Sequence, residues 1–138
     1  MSTVASTPWE PEAMPTPVEL RQLVARYVET VNSRDVEALT ALFTEDAVQA
    51  DPASNPPNIG HDAIAEFWRN SIGASQAWTF QAKAVHTCAD HVAIDFEIAV
   101  TTGGAVMVID GIEVFDVAED LRIRSVHAYW DGEDLSFP

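Results

Sequence analysis

Basic residues are scarce in this chain. Seven Lys and Arg stand against 22 Asp and Glu, a formal net charge of −15 over 138 residues. Such a surface repels phosphate backbones and anionic lipid, and no Arg or Lys cluster interrupts it, so nucleic acid and membrane are not expected as partners. The charge itself reads as solubility. Cysteine is scarcer still. Cys88 stands alone, which rules out an internal disulfide and a Cys-based zinc cage; it reads as a small, half-buried core residue. No apolar run approaches the ~20 residues of a membrane-spanning helix. No basic stretch leads into an apolar one at the N-terminus, so no signal peptide is expected and a reduced cytoplasmic setting is. His61, His86, His91 and His127 lack metal-ligand spacing, and no metal is assigned. A Gly-rich phosphate loop, a Gly-x-Ser-x-Gly elbow and an internal repeat are also missing.

What is present fits one domain. Hydrophobic residues make up 47% of the chain, enough for a single core at this length. Residues 1–15, with Pro8, Pro11 and Pro15 among Ser, Thr and Glu, read as a flexible tail, leaving 16–138 as the domain. Thr16-Pro17-Val18-Glu19 has the form of a capping box. Leu20, Leu23, Val24, Tyr27, Val28 and Val31 then recur at the spacing of one helix face, ending near Asn32-Ser33. Asp35 caps a second, shorter helix with Val36, Leu39, Leu42 and Phe43 on one stripe. A short strand is expected at Val48-Gln49-Ala50, before the turns of Asp51-Pro52 and Asn55-Pro56-Pro57. Helical spacing returns over His61–Ser71. From Trp78 the period changes to two: His91 to Val100 alternates cleanly, Thr101-Thr102-Gly103-Gly104 marks a hairpin, and Ala105 to Val117 is apolar on both faces. Arg122 to Trp130 forms a final strand. Helices first and strands after, joined by hairpins, predict an α+β fold with helices on one face of an antiparallel sheet. Curved strongly, that sheet would enclose an apolar pocket.

Four side chains break the local pattern. Glu113 shares a strand face with Met107, Ile109, Gly111 and Phe115. Buried there it would take up a proton and become a hydrogen-bond donor; otherwise it is an edge residue facing water, or a partner of Arg122 or Arg124. Asp110 is the competing acid on the opposite face, and only one face can line a pocket. Tyr27 carries its hydroxyl inward, either toward a backbone carbonyl or into a site. Asp51 either ends a strand in a plain turn or points into a dry cavity.

Together these positions resemble the ketosteroid isomerases, steroid Δ5-isomerases of the NTF2-like (SnoaL-like) superfamily. Val24-Ala25-Arg26-Tyr27-Val28-Glu29 is similar to the helix that carries that family's catalytic tyrosine. Asp35-Val36-Glu37-Ala38-Leu39 and Leu42-Phe43-Thr44-Glu45-Asp46-Ala47 resemble the run before the base strand, and Asp51-Pro52 resembles the segment of the catalytic aspartate. Ile64-Ala65-Glu66-Phe67-Trp68-Arg69 is similar to the third helix. Arg122-Ile123-Arg124-Ser125-Val126-His127-Ala128-Tyr129-Trp130 resembles the last strand.

The resemblance implies an NTF2-like cone: three N-terminal helices and a strongly curved antiparallel sheet around an apolar pocket. It implies a Δ5-3-ketosteroid isomerase with Asp51 as the base and Tyr27 with protonated Glu113 as the oxyanion hole. Trp68, Phe96, Val126, Ala128 and Trp130 would hold a small apolar, steroid-like ketone, no cofactor is required, and a homodimer is expected. Two departures stand out. The family's protonated aspartate falls on Glu113, and Trp68 replaces a tyrosine that some members hydrogen-bond to the catalytic one. Phe43 likewise offers no hydroxyl. The same fold hosts a SnoaL-like polyketide cyclase and non-catalytic steroid or lipid carriers, which remain the alternatives.

Overall fold

The computed structural model describes residues 14–138; of the expected tail, residues 1–13 lie outside the described residues. Helix α1 (Pro17–Ser33) begins with the anticipated capping box: Thr16 Oγ1 accepts from Glu19 N at 3.1 Å and Glu19 returns to Thr16 N at 3.0 Å. Its buried stripe is Leu20, Leu23, Val24, Tyr27 and Val31. The helix ends at Arg34 in the left-handed region, φ 60°. Helix α2 (Val36–Thr40) is capped by Asp35, whose carboxylate accepts from Ala38 N at 3.0 Å.

Here the structure corrects the sequence reading. The second helix stops at Thr40, so Leu42 and Phe43 do not extend its stripe, and strand β1 already runs over Phe43–Ala50. Its polar middle, Thr44-Glu45-Asp46, sits where the ladder to its neighbour is irregular, between Phe43 and Val48. Strict alternation is lost there, which hid the strand.

After the short β2 (Asn58–Ile59) comes α3 (His61–Asn70), burying Ile64, Ala65 and Trp68. Three long strands follow: β3 (Ala77–Cys88), β4 (His91–Thr102) and β5 (Ala105–Val117). The two-residue connection between β4 and β5 places Gly103 and Gly104 at φ 59° and 82°, as a tight hairpin turn matched to strand twist requires. Strand β6 (Ile123–Tyr129) and the short β7 (Leu135–Ser136) complete the sheet. Its order is β2-β1-β6-β5-β4-β3, with β7 on β5. The ladders are antiparallel except β1 with β6, which is parallel. Among the described residues the fold is therefore α+β, three α-helices against a curved sheet that does not close.

Alternation holds on the inner face of β4, where Val92, Ile94, Phe96 and Ile98 are all buried. The outer face of β5 differs from the expected doubly covered strand: Val106 and Ile112 stand exposed there. Cys88 also differs. It is exposed at the end of edge strand β3 rather than half-buried.

Side chains from α1 fasten the helix to the edge of the sheet. Asn32 Nδ2 donates to Phe80 O at 3.0 Å while Phe80 N donates to Asn32 Oδ1 at 2.7 Å. Arg21 donates to Thr87 Oγ1 and Val85 O. These bonds satisfy backbone groups that an edge strand would otherwise leave open. At the far end of α1, the Arg34 guanidinium donates to the carbonyls of Ile72, Ser75 and Gln76, holding the α3–β3 connection.

Candidate active site

Tyr27 is fully buried on α1. Its ring meets Phe115 edge-on at 4.9 Å between centroids, Phe80 at 5.7 Å and Trp68 at 6.3 Å. Three walls, from α3, β3 and β5, thus fix the phenol, since edge-on aromatic contacts of this length are favourable and directional. Phe115 lies two residues beyond Glu113 on the same strand face, so the ring that carries Tyr27 sits beside the Glu113 carboxyl.

Glu113 is 2% exposed. Its cross-strand partners are Ile94 on β4 and Ala128 on β6, both buried and apolar. The rival reading of Glu113 as an Arg partner does not hold: Arg122 pairs with Asp120 at 2.8 Å and Arg124 with Asp90 at 2.9 Å. Burial, reinforced by the negative charge of Asp51 and opposed by the Tyr27 hydroxyl, pushes the Glu113 pKa up to about 8. At pH 7 the acid is then protonated by roughly ten to one. Burial likewise raises the Tyr27 pKa, and the charges of Glu113 and Asp51 add to it. Tyr27 and Glu113 influence one another without closing a well-formed hydrogen bond. The Tyr27 hydroxyl and Glu113 Oε1 are both buried with no partner among the described residues. Two polar atoms left so in an apolar surround would each cost about 1–3 kcal/mol, so both have hydrogen-bonding capacity to spare.

Asp51 follows the last residue of β1, and Ala50 pairs with His127 on β6. The chain then turns back: Ala53 N donates to Ala128 O at 2.7 Å. Ala128 is thus the neighbour of both acids, Glu113 across one edge of β6 and the Asp51 segment across the other. Two strand spacings, roughly 10 Å, separate the two acidic backbones. The Trp130 indole donates to Asp51 Oδ1 at 2.7 Å, leaving the second carboxylate oxygen free of that bond. Burial raises the Asp51 pKa, and this hydrogen bond opposes the rise.

The remaining expected residues divide. Val126, paired with Phe115, and Ala128 are buried on the inner face of β6 beside the two acids. Trp68 is buried against Tyr27. Phe96 is buried too, but at one remove: it stacks on Phe80 at 5.4 Å and lies across Gly111. A Cβ on Gly111 would stand 2.9 Å from the Phe96 ring and 2.7 Å from Tyr129 O. Tyr129 points outward, 54% exposed. Asp110, the competing acid, lies on the outer face and binds Lys83 Nζ at 2.9 Å. Sequence reasoning missed the role of Trp130 as the hydrogen-bond partner of Asp51, and it missed Phe115, Phe80 and Asn32 as the framework of Tyr27. Phe115 could have been found from its phase with Glu113; the Trp130 bond joins residues 79 apart and has no local signal.

The profile of the SnoaL-like domain family matches residues 24–126. The chain belongs to this family. This SnoaL-like domain is 31% identical over 117 residues to a steroid Delta-isomerase of Nocardioides simplex, covering 85% of this chain and 94% of that protein. Solved structures share its fold. SalBIII, an epoxide hydrolase/cyclase-like enzyme in pyran ring formation in the polyether salinomycin, superposes with a TM-score of 0.82 at 24% identity, covering 88% of this chain and 97% of that one. RV0760c from Mycobacterium tuberculosis gives the same TM-score at 20% identity, covering 90% and 99%.

Proposed function

We propose that this SnoaL-like domain is a Δ5-3-ketosteroid isomerase that shifts a carbon–carbon double bond into conjugation with a ketone. Ionised Asp51 takes a proton from C4, and the C–H electron pair moves through C3 to leave a dienolate with its charge on the ketone oxygen. Asp51 then returns the same proton to C6, and the double bond settles between C4 and C5. Nothing enters or leaves, so atoms and electrons balance within one substrate molecule. Tyr27 and neutral Glu113 donate to the oxygen as its charge develops, where buried donors act most strongly. Trp130, besides supplying apolar surface, holds the base.

One observation carries this reading: the buried Glu113 carboxyl and the buried Tyr27 hydroxyl both lie without a hydrogen-bond partner among the described residues, and burial with the negative charge of Asp51 pushes the Glu113 pKa up to about 8. Two carboxyls in one apolar region cannot both ionise cheaply, and here the more deeply placed one keeps its proton. An ionised Glu113 would repel a dienolate; a neutral one stabilises it. The 31% identity to a steroid Delta-isomerase supports the same reaction.

Adding a Δ5-3-ketosteroid to the purified protein should raise conjugated-enone absorbance, and Asp51→Asn should abolish that rise while the circular dichroism spectrum stays native. Undiminished turnover in the variant removes Asp51 from the mechanism. Tight binding of a phenolic steroid without turnover would identify a carrier instead. The reading includes a homodimer through the outer sheet face, where Val106, Ile112 and Tyr129 stand exposed. Light scattering should return twice the chain mass.

A further inference from the structure

A buried donor on a side chain packed against Tyr27 is left unused by this chemistry. Trp68 is only 3% exposed, and its indole Nε1 is buried with no hydrogen-bond partner among the described residues. An indole N–H can only donate. Its ring stands edge-on to Tyr27 at 6.3 Å between centroids, yet the Tyr27 hydroxyl, itself an acceptor, does not take it. Nothing else in the surround accepts it: the Tyr27 ring is otherwise walled by Phe80 and Phe115, and Trp68 also packs on Phe67. A buried unpaired N–H costs about 1–3 kcal/mol.

A ketone oxygen has two lone pairs, and in the reading above Tyr27 and Glu113 take both. The Trp68 N–H then needs a different acceptor. We propose that the ligand carries a second acceptor oxygen close to the reacting ketone, on the side facing α3, and that the Trp68 N–H donates to it. The substrate class narrows accordingly, to apolar polycyclic ketones oxygenated next to the reacting carbonyl. Trp68 is thereby a specificity-determining residue. The inference rests on the placement of the ketone between Tyr27 and Glu113.

Phenolic steroids test it without requiring turnover, since the phenol oxygen stands in for the dienolate oxygen. Dissociation constants are measured by calorimetry for estradiol and for its 2-hydroxy and 4-hydroxy derivatives, which place a second oxygen on either side of the first. The wild-type protein should bind one of the two catechols about tenfold tighter than estradiol, the value of one well-made hydrogen bond. In Trp68→Phe the ratio of the two constants should fall to near one. A wild-type protein that prefers neither catechol overturns the proposal whether or not the variant folds, and so does a preference that survives in a folded Trp68→Phe. If estradiol itself does not bind and a Δ5-3-ketosteroid is not turned over, the reading of the site fails and this inference falls with it. Estradiol binding with no catechol preference leaves that reading standing and removes only the second oxygen.

Discussion

Single residues carry the chemistry, and Glu113 gives the sharpest expectations. Its ordinary pKa of 4.5 applies to the unfolded chain, while the folded value is about 8. Between these values the folded state holds a proton that the unfolded state has lost. Stability should therefore fall as pH rises from 4.5 to 8, by roughly 1.4 kcal/mol per unit from this group alone, and level off above. Urea denaturation across that range should show the slope, and Glu113→Gln, neutral in both states, should flatten it. Activity should decline as pH passes 8, because the donor becomes an anion. Trp130 governs the other limb. Its N–H holds the Asp51 pKa down, so Trp130→Phe should move the acid limb of the rate profile to higher pH and lower kcat by about tenfold or more, a charged hydrogen bond being worth about 1.5–3 kcal/mol. An unmoved acid limb would separate Trp130 from the base.

At the scale of elements, the site depends on how α1 is fastened to β3. Asn32 answers both backbone groups of Phe80, and the Phe80 ring touches Tyr27. Asn32→Ala should cost about 1–3 kcal/mol in urea melts and lower kcat more than it raises KM, since the phenol would lose a wall. Gly111→Ala should destabilise by a similar 1–3 kcal/mol, because its Cβ would press on a backbone carbonyl and the Phe96 ring. Much of this level was legible beforehand. Alternation placed Glu113 and Phe115 on one face, and the capping box and apolar spacing located α1 with Tyr27 inward. Strand β1 was not legible in full, because the irregular ladder after Phe43 removes the period on which a strand is recognised. Nor was the Asn32 clamp, which joins side chain to backbone across 48 residues. Local patterns report which face a residue takes, and only the assembled sheet reports what lies opposite.

For the molecule as a whole, charge is the dominant trait. With a formal net of −15, exposed carboxylates repel one another in the compact state, and added salt screens them. The melting temperature should rise as sodium chloride increases from about 0.01 to 0.2 M, where the screening length shortens from roughly 30 Å to under 10 Å. A melting temperature independent of salt would mean that the local pairs, such as Lys83 with Asp110 and Arg124 with Asp90, already balance the field.

Strand β6 acts as a ruler. Ala128 borders Glu113 on one side and accepts from Ala53 on the other, so the interval between acid and base is graduated in whole strand widths. Substituting one acid for a longer one cannot re-space the pair; it can only extend the donor tip along the same line, by the ~1.5 Å of a single carbon–carbon bond. A longer acid at position 113 therefore changes how closely its carboxyl is presented, while Asp51 stays where the backbone put it.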